Sequence, residues 1–229
     1  MRKGGLAAAL LTGVLFLVVS ATGWSATAKP ASAQAGTLTF CTDATYPPEE
    51  FFQGSKIVGS DVDIATEISK RIGMKAAFKN TGVDAIIAAL LAKKCNAVIS
   101  GMNDTPERRK QVAFVDYIRV GQSIMVKAGK NAIKVVTFPK DTDAAAALKT
   151  GKVDAYFGDS PVVAYYIAKD PKSFGFAGQP VNPIPVGIAI RKGDPLIPKV
   201  RKAVAAMYAD GTMQKILAKW KMSATALKK

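Results

Sequence analysis

Beyond its N-terminal segment, the chain alternates short apolar segments with amphipathic ones, and this alternation constrains the fold more than any other feature. Residues 38–43, 76–81 and 96–102 are typical of strands, whereas residues 60–73 and 84–94 carry apolar side chains at helical spacing. Asp84 is the expected cap of the second helix. Strands separated by helices pair in parallel, because the helix supplies the crossover connection. The pattern predicts an α/β fold with helices on both faces of the sheet.

The second half of the chain continues the alternation. Further strands are predicted at residues 112–118, 122–129, 133–139, 153–159 and 186–194, and further helices at residues 142–151, 162–170, 196–211 and 212–222. In each half an apolar strand ends in polar residues just before a helix begins. Ligands gather at such strand ends in open parallel sheets, so two of them facing each other would form a cleft.

A short helix is predicted after residue 104. Thr105 can cap it, Pro106 fits its first position, and Arg108 falls in its first turn. A cation is mildly unfavourable near the positive end of a helix. Arg108 is therefore either an indifferent surface charge or the partner of a negatively charged ligand.

The first 35 residues have the layout of a secretory signal peptide. Arg2 and Lys3 precede an apolar run at residues 6–19, and small-residue exits of the A-x-A type follow at residues 26–35. The alternative is a membrane anchor, but the run is shorter than the roughly 20 apolar residues of a span. We expect export and cleavage, which places the mature protein in the periplasm or outside the cell.

The charge and the missing histidine exclude several classes of function. The formal net charge is +15, and residues 1–35 hold three basic and no acidic residues, so the rest of the chain carries +12. The lysines are scattered along predicted helices, and no nucleic-acid partner is expected. Without histidine, Ser-His-Asp, Cys-His and His-ligated metal sites cannot form, and we expect neither a metal nor a cofactor.

The two cysteines, Cys41 and Cys95, fall in or beside predicted neighbouring strands. Export permits a disulfide. However, Cys41 lies late in its strand and Cys95 early in the other, which favours two buried thiols over a bond. The bonded alternative stays open.

The ordered series of motifs resembles the extracellular solute-binding proteins of polar-amino-acid ABC transporters. It includes CTDATYPPEEFF, VDAIIAALLAKK, ISGMNDTPERRKQVAFVDYI and VDAYFGDSP, and it extends over most of residues 37–222. The resemblance implies two α/β lobes joined by two crossing strands, with an amino acid bound between them for delivery to a membrane permease. It implies lobe 1 at residues 36–121 and 191–229, and lobe 2 at residues 122–190. A monomer is expected.

The resemblance also implies the site residues. The expected ligand-binding residues are Asp43, Tyr46, Val83, Ser100, Gly101, Asn103, Thr105, Arg108 and Asp159. Arg108 would pair with the ligand α-carboxylate, because its planar guanidinium donates two parallel hydrogen bonds. Asp159 would bind the α-ammonium and Asp43 a cationic side chain, while Tyr46 would pack on the ligand. The residues alone leave simpler roles open, since Asp43 and Asp159 could each cap a turn or helix.

Three departures from the family pattern affect these expectations. Val83 stands where many relatives carry an aromatic residue, and Glu49 stands where phenylalanine is usual. Glu49 could bring an acid near the cleft or point to water. About 35 residues, roughly one βαβ unit, are missing after the first crossing strand, which shortens lobe 2 and would leave a strand flank uncovered.

These departures keep three functions in view. The first is capture of a polar, possibly cationic, amino acid without bond chemistry. The second is a cyclohexadienyl- or arogenate-dehydratase-like enzyme on the same scaffold, which would need a cleft carboxylic acid of raised pKa, with Glu49 as the candidate. The third is a remnant that binds nothing.

Overall fold

The computed structural model describes residues 36–127 and 136–227. The predicted signal peptide lies outside these ranges. The strands are β1 Thr37–Thr42, β2 Thr45–Tyr46, β3 Glu50–Gln53, β4 Lys56–Val58, β5 Lys75–Asn80, β6 Ala97–Val98, β7 Val112–Lys127, β8 Ala155–Asp159, β9 Phe174–Phe176 and β10 Val181–Arg191. The helices are α1 Ser60–Arg71, α2 Val83–Leu91, α3 Pro106–Arg109, α4 Asp141–Thr150, α5 Ser160–Lys169, α6 Leu196–Ala209 and α7 Thr212–Lys219, followed by a 3-10 helix at Ser223–Thr225.

One large mixed sheet organises the molecule, and the predicted α/β class is confirmed. Its strand order is β5-β1-β6-β10-β7-β8, with β9 also paired to β7. The predicted parallel pairing holds for β1 with β5 and with β6. The remaining strands pair antiparallel. A small antiparallel sheet, β2-β3-β4, follows β1 directly.

The two strands predicted at residues 112–118 and 122–129 are one continuous strand, β7. It pairs along most of its length with β10, and the long ladder keeps the chain extended through Gly121. The predicted lobe boundaries fall inside β7 and at the end of β10. They stay a prediction.

Three apolar clusters flank the sheet. The largest packs α1, α6 and α7 on one face around side chains such as Phe40, Ile68 and Ile188. A second lies on the other face under α2 and includes Leu90. The third packs α4 and α5 against β7, β8 and β9. Each fully buried large apolar side chain contributes about 1.5–3 kcal/mol, so the clusters fix the strand ends at which the candidate site lies.

One face of the sheet in its second half is open. Met125 and Tyr156 are buried under α4 and α5, whereas their neighbours Ile124 and Phe157 stand directly opposite each other on the reverse face. The side chain of Phe157 is 63% exposed. β8 ends the path of the sheet, and no strand pairs with its outer edge in the part of the chain that the structure describes.

Three local predictions need correction. Residues 136–139 form no strand, and residues 133–135 of that predicted strand lie outside the described ranges. The strand predicted at residues 96–102 is only Ala97–Val98, because the chain turns at Gly101, whose φ is +50°. Asp84 does not cap α2, whose N-cap residue is Gly82. Asp43 performs that task from the end of β1, by accepting a hydrogen bond from the Val83 N–H at 2.8 Å.

The favoured expectation of two free thiols is wrong, because Cys41 and Cys95 form a disulfide with a Cα–Cα distance of 5.7 Å. In the strand register Cys41 stands beside Val98. Cys95 lies three residues earlier, in a bend rather than in β6. The bend brings Cys95 back towards β1. The distance between Cys41 and Cys95 is therefore set by the bend and not by the strand register.

None of the helices among the described residues combines the length and the apolar character that crossing a bilayer requires.

Candidate functional site

A cavity of about 140 Å³ lies where the ends of β1 and β6 approach the segment that leads into α4. This is the edge of the sheet at which the strand-end argument predicts a ligand. The lining residues are Asp43, Thr45, Tyr46, Val83, Ser100, Gly101, Met102, Asn103, Arg108, Pro139 and Asp141.

Most of the residues expected from the sequence line this cavity. They are Asp43, Tyr46, Val83, Ser100, Gly101, Asn103 and Arg108. Thr105 and Asp159 do not. The Thr105 hydroxyl caps α3, as predicted, by accepting a hydrogen bond from the Arg108 N–H at 3.3 Å. Thr105 therefore fixes the backbone that carries Arg108, without itself forming the wall.

Arg108 directs a half-buried guanidinium to the cavity. Its Nη1 donates to the backbone carbonyl of Asn103 at 2.8 Å. No carboxylate of the described residues forms a salt bridge with it, whereas the adjacent Arg109 pairs with Asp104 and lies 3.8 Å from Asp116. Two neighbouring arginines thus differ in role: Arg109 neutralises local acids, and Arg108 offers donors to the cavity.

Asp159 lies behind the wall, next to Tyr46. Its carboxylate accepts hydrogen bonds from the Tyr46 hydroxyl and from Nε2 of Gln122, and the residue is only 5% exposed. Burial raises the pKa of Asp159, and these two hydrogen bonds act in the opposite direction. The contact links β2 with β7 and β8, so it holds the Tyr46 ring in place.

Asp43 and Ser100 tie the ends of β1 and β6 together. The Asp43 N–H donates to the Ser100 Oγ at 2.9 Å, and that hydroxyl donates to Glu50 Oε1 at 2.6 Å. The Asp43 carboxylate accepts from the Thr45 hydroxyl at 2.9 Å and from the Val83 N–H. Asp43 thus caps a turn and a helix, and it also lines the cavity. The capping role and a position at the expected binding site are therefore compatible.

Gly101 is required by a close approach. A Cβ at this position would lie 2.5 Å from a ring carbon of Tyr46, and its φ of +50° is one that other residues rarely adopt. The Gly101 N–H donates to Asp61 Oδ2 at 2.8 Å. The Tyr46 ring can therefore pack directly on the strand-end loop.

Asp141 is a lining residue that the sequence analysis missed. It is the first residue of α4, and its Oδ1 accepts a hydrogen bond from the Tyr156 hydroxyl. Burial raises its pKa, an effect that the Tyr156 hydrogen bond opposes. An aspartate in the first turn of a helix is common for dipole reasons alone, so the sequence carried no signal that this one faces a cavity.

Three further acids are buried beneath the site. Glu49 is 1% exposed, and Glu50 and Asp61 are fully buried. The Asp61 carboxylate accepts hydrogen bonds from Gly101 and from the Tyr117 hydroxyl, whereas neither carboxyl oxygen of Glu49 has a hydrogen-bond partner within residues 36–127 and 136–227. Burial, together with the Asp61 charge, raises the pKa of Glu49 well above its ordinary value.

Replacing Glu49 with Met is expected to stabilise the protein by about 1–3 kcal/mol at pH 8, because methionine fills similar space without unpaired oxygens. The gain should shrink as the pH falls towards 5. A carboxyl group whose pKa is raised by folding takes up a proton that the unfolded chain still releases, so the wild type gains stability on acidification. Urea unfolding at both pH values measures the difference.

Glu107→Met is the matched control, since Glu107 is exposed in the first turn of α3. We expect it to change the free energy of unfolding by less than about 0.5 kcal/mol at either pH. A Glu49→Met gain that is equal at pH 5 and pH 8 would contradict the assigned pKa direction.

The wall of the cavity is polar and carries charges of both signs. It carries one guanidinium, two carboxylates, hydroxyls and an aromatic ring. The described residues contain no cluster of three Cys, Asp or Glu side chains arranged to hold a metal ion. Glu49 does not line the cavity. Such a wall suits a small ligand that carries both signs of charge.

Comparison with known proteins identifies relatives of the whole fold. Residues 38–223 match the model of the bacterial extracellular solute-binding proteins, family 3. ABC transporter arginine-binding protein 1 of Escherichia coli (strain K12) is 32% identical over 219 residues, covering 80% of this chain and 90% of the relative. Since 80% of 229 residues is about 183, about 36 of those 219 positions lack a counterpart here. That number is close to the unit expected to be missing.

Solved structures agree with this result. An ancestral arginine-binding protein bound to arginine has a TM-score of 0.77 and 36% identity, over 82% of this chain and 99% of that one. The ancestral amino acid-binding protein AncCDT-1, a precursor of cyclohexadienyl dehydratase, has a TM-score of 0.75 and 34% identity, over 81% and 95% of the two chains. The two-lobed binding-protein fold implied by the resemblance is therefore confirmed.

Proposed function

The chain belongs to family 3 of the bacterial extracellular solute-binding proteins, and from this premise we propose that it captures a polar, cationic amino acid for an ABC importer. The amino acid lies in the cavity at the ends of β1 and β6, and the loaded protein passes it to a membrane permease. The protein acts after export, in the periplasm or outside the cell, as a monomer. It performs no bond chemistry and contacts no nucleic acid.

The observation that carries this proposal is the position of Arg108. Its guanidinium lines the cavity without a salt-bridge partner among the described residues, and Asp43 and Asp141 line the same cavity. A zwitterion satisfies both signs of charge, because its carboxylate pairs with Arg108 and its ammonium meets a carboxylate. Tyr46 and Val83 supply the apolar wall, and Ser100, Gly101 and Asn103 supply the polar strand end.

The relatives support the choice of ligand. The matched proteins include an arginine-binding protein of Escherichia coli and an ancestral protein bound to arginine. The dehydratase alternative would need a protonated acid facing the ligand. Glu49, its candidate, does not line the cavity, so the acid expected for that alternative does not face the ligand.

Thermal unfolding against a panel of amino acids tests the proposal. Arginine or lysine at 100 times its dissociation constant is expected to stabilise the protein by about 2.7 kcal/mol, because the ligand binds only the folded state. Aspartate is the control, since its side chain brings a further carboxylate to a cavity whose wall already has two, and it should give no shift. Absence of a shift with every amino acid would overturn the proposal and favour the non-binding remnant, while conversion of prephenate would favour the enzyme.

A further inference from the structure

Resting on this proposed function, we propose that Asp141 contacts the cationic side chain of the bound amino acid and determines the preference for a positively charged ligand. This residue stands outside the set that the family resemblance implies. It enters the cavity wall together with Pro139, on the segment that leads into α4.

Three acids at or next to the cavity differ in how many hydrogen bonds their carboxylate oxygens already accept. Asp43 accepts hydrogen bonds on both oxygens, from Thr45 and from the Val83 N–H. Asp159 accepts on both oxygens and does not line the cavity. Asp141 accepts a side-chain hydrogen bond from Tyr156 on Oδ1, and no other side chain of the described residues donates to its carboxylate. A carboxylate has about four acceptor sites, and among these three acids Asp141 has the fewest donors from other residues, so it keeps the most acceptor capacity for a ligand.

The charges of the cavity wall are not balanced by an amino acid with a neutral side chain. The cavity wall carries two carboxylates and one guanidinium. An amino acid with a neutral side chain brings one ammonium and one carboxylate, which leaves one wall carboxylate without a cation. A side-chain guanidinium or ammonium supplies the missing charge. A partly buried carboxylate gains most from such a partner, because burial has already removed much of its water.

The electrostatic environment of Asp141 is negative and favours a bound cation. Tyr156 is its hydrogen-bond donor, and the nearest charges that act on its carboxyl group include Asp43, which is also negative. Two carboxylates that face one small cavity repel each other, and a cation bound between them relieves the repulsion. The side chain of the ligand therefore lies between the end of β1 and the start of α4.

A purely structural role for Asp141 has to be separated from this one. Asp141 lies in the first turn of α4, where a negative charge favours the helix. Asp143 lies in the same turn and is exposed, and it does not line the cavity. Asp143→Asn therefore removes the same charge from the same helix end without changing the cavity, and it is the matched control for Asp141→Asn.

The experiment is calorimetric titration of the full chain with arginine and with citrulline, which has nearly the shape of arginine but a neutral side chain. We expect the wild type and Asp143→Asn to bind arginine at least ten-fold more tightly than citrulline. Asp141→Asn should lose this preference, mainly through weaker binding of arginine, while its affinity for citrulline changes by less than three-fold. Asp141→Glu should restore part of the preference.

Each outcome decides the proposal. A ten-fold preference that survives in Asp141→Asn overturns it, and loss of that preference in Asp159→Asn instead would assign the contact to Asp159. A wild type that binds arginine and citrulline equally also overturns the proposal. This result needs no variant, so the proposal can be tested even if Asp141→Asn does not fold. A wild type that binds no amino acid overturns the proposed function as well, which distinguishes that failure from failure at Asp141 alone.

Discussion

Arg108→Ala is expected to weaken amino-acid binding about a hundred-fold, equivalent to about 2.7 kcal/mol. The ligand carboxylate would lose a charge-assisted, two-pronged partner inside a partly desolvated cavity, and a carboxylate left unpaired there costs several times an ordinary hydrogen bond. Stability without ligand should change little, because the one acceptor of the Arg108 side-chain hydrogen bonds among the described residues is the Asn103 carbonyl. Calorimetric titration and thermal unfolding of the same variant separate the two effects.

Arg109→Ala provides the control for this prediction. Arg109 is adjacent in sequence, pairs with Asp104 and keeps 59% of its side chain exposed, so its loss should leave affinity within about three-fold. Arg108→Lys should fall between wild type and Arg108→Ala, since lysine keeps the charge but not the planar pair of donors. Affinity within three-fold of wild type in Arg108→Ala would show that the ligand carboxylate binds elsewhere.

The second large effect is expected from the disulfide. Replacing Cys41 and Cys95 together with Ala should lower the free energy of unfolding by about 2–4 kcal/mol, because the bond closes a loop of 54 residues in the unfolded chain. For a chain of this length, this corresponds to a fall of roughly 5–15 °C in the melting temperature. Thermal and urea unfolding of the oxidised wild type and of the double variant measure the loss.

Reductant serves as the internal control for the disulfide. It should lower the melting temperature of the wild type towards that of the double variant, and it should leave the double variant unchanged. Neither cysteine lines the cavity, so the double variant should still bind arginine at temperatures where it is folded. Equal melting temperatures for the oxidised wild type and the double variant would contradict the assigned contribution.

Local sequence signals predicted the helices and the longer strands because these elements carry apolar patterns of their own, whereas the short strands β2, β3, β4 and β9 were not predicted. The capping of α3 by Thr105 and the termination of α4 at Gly151 follow directly from residue type. The wrong predictions concern features that depend on contacts between segments distant in sequence. Asp43 replaces Asp84 as the cap of α2 from a distant strand, and the bend at Cys95 sets a distance that strand register alone predicted wrongly.

The candidate site was predictable only in part, for a related reason. A resemblance indicates which positions face a cleft, and Arg108 and Tyr46 do line the cavity. It cannot indicate which carboxylate oxygens are already occupied. Asp159 is held by Tyr46 and Gln122, and Asp141 enters the wall from a helix start. Both facts depend on tertiary contacts between segments distant in sequence, which no local pattern records.

The ladder between β7 and β10 is irregular at two places, between Val181 and Ile184 and between Val186 and Gly187. Because β7 and β10 carry the sheet from one half of the molecule to the other, these interruptions are where the ladder resists bending least. A bend of the ladder at either place would change the position of α4 relative to α3. It would therefore change the distance between Asp141 and Arg108, and with it the width of the cavity.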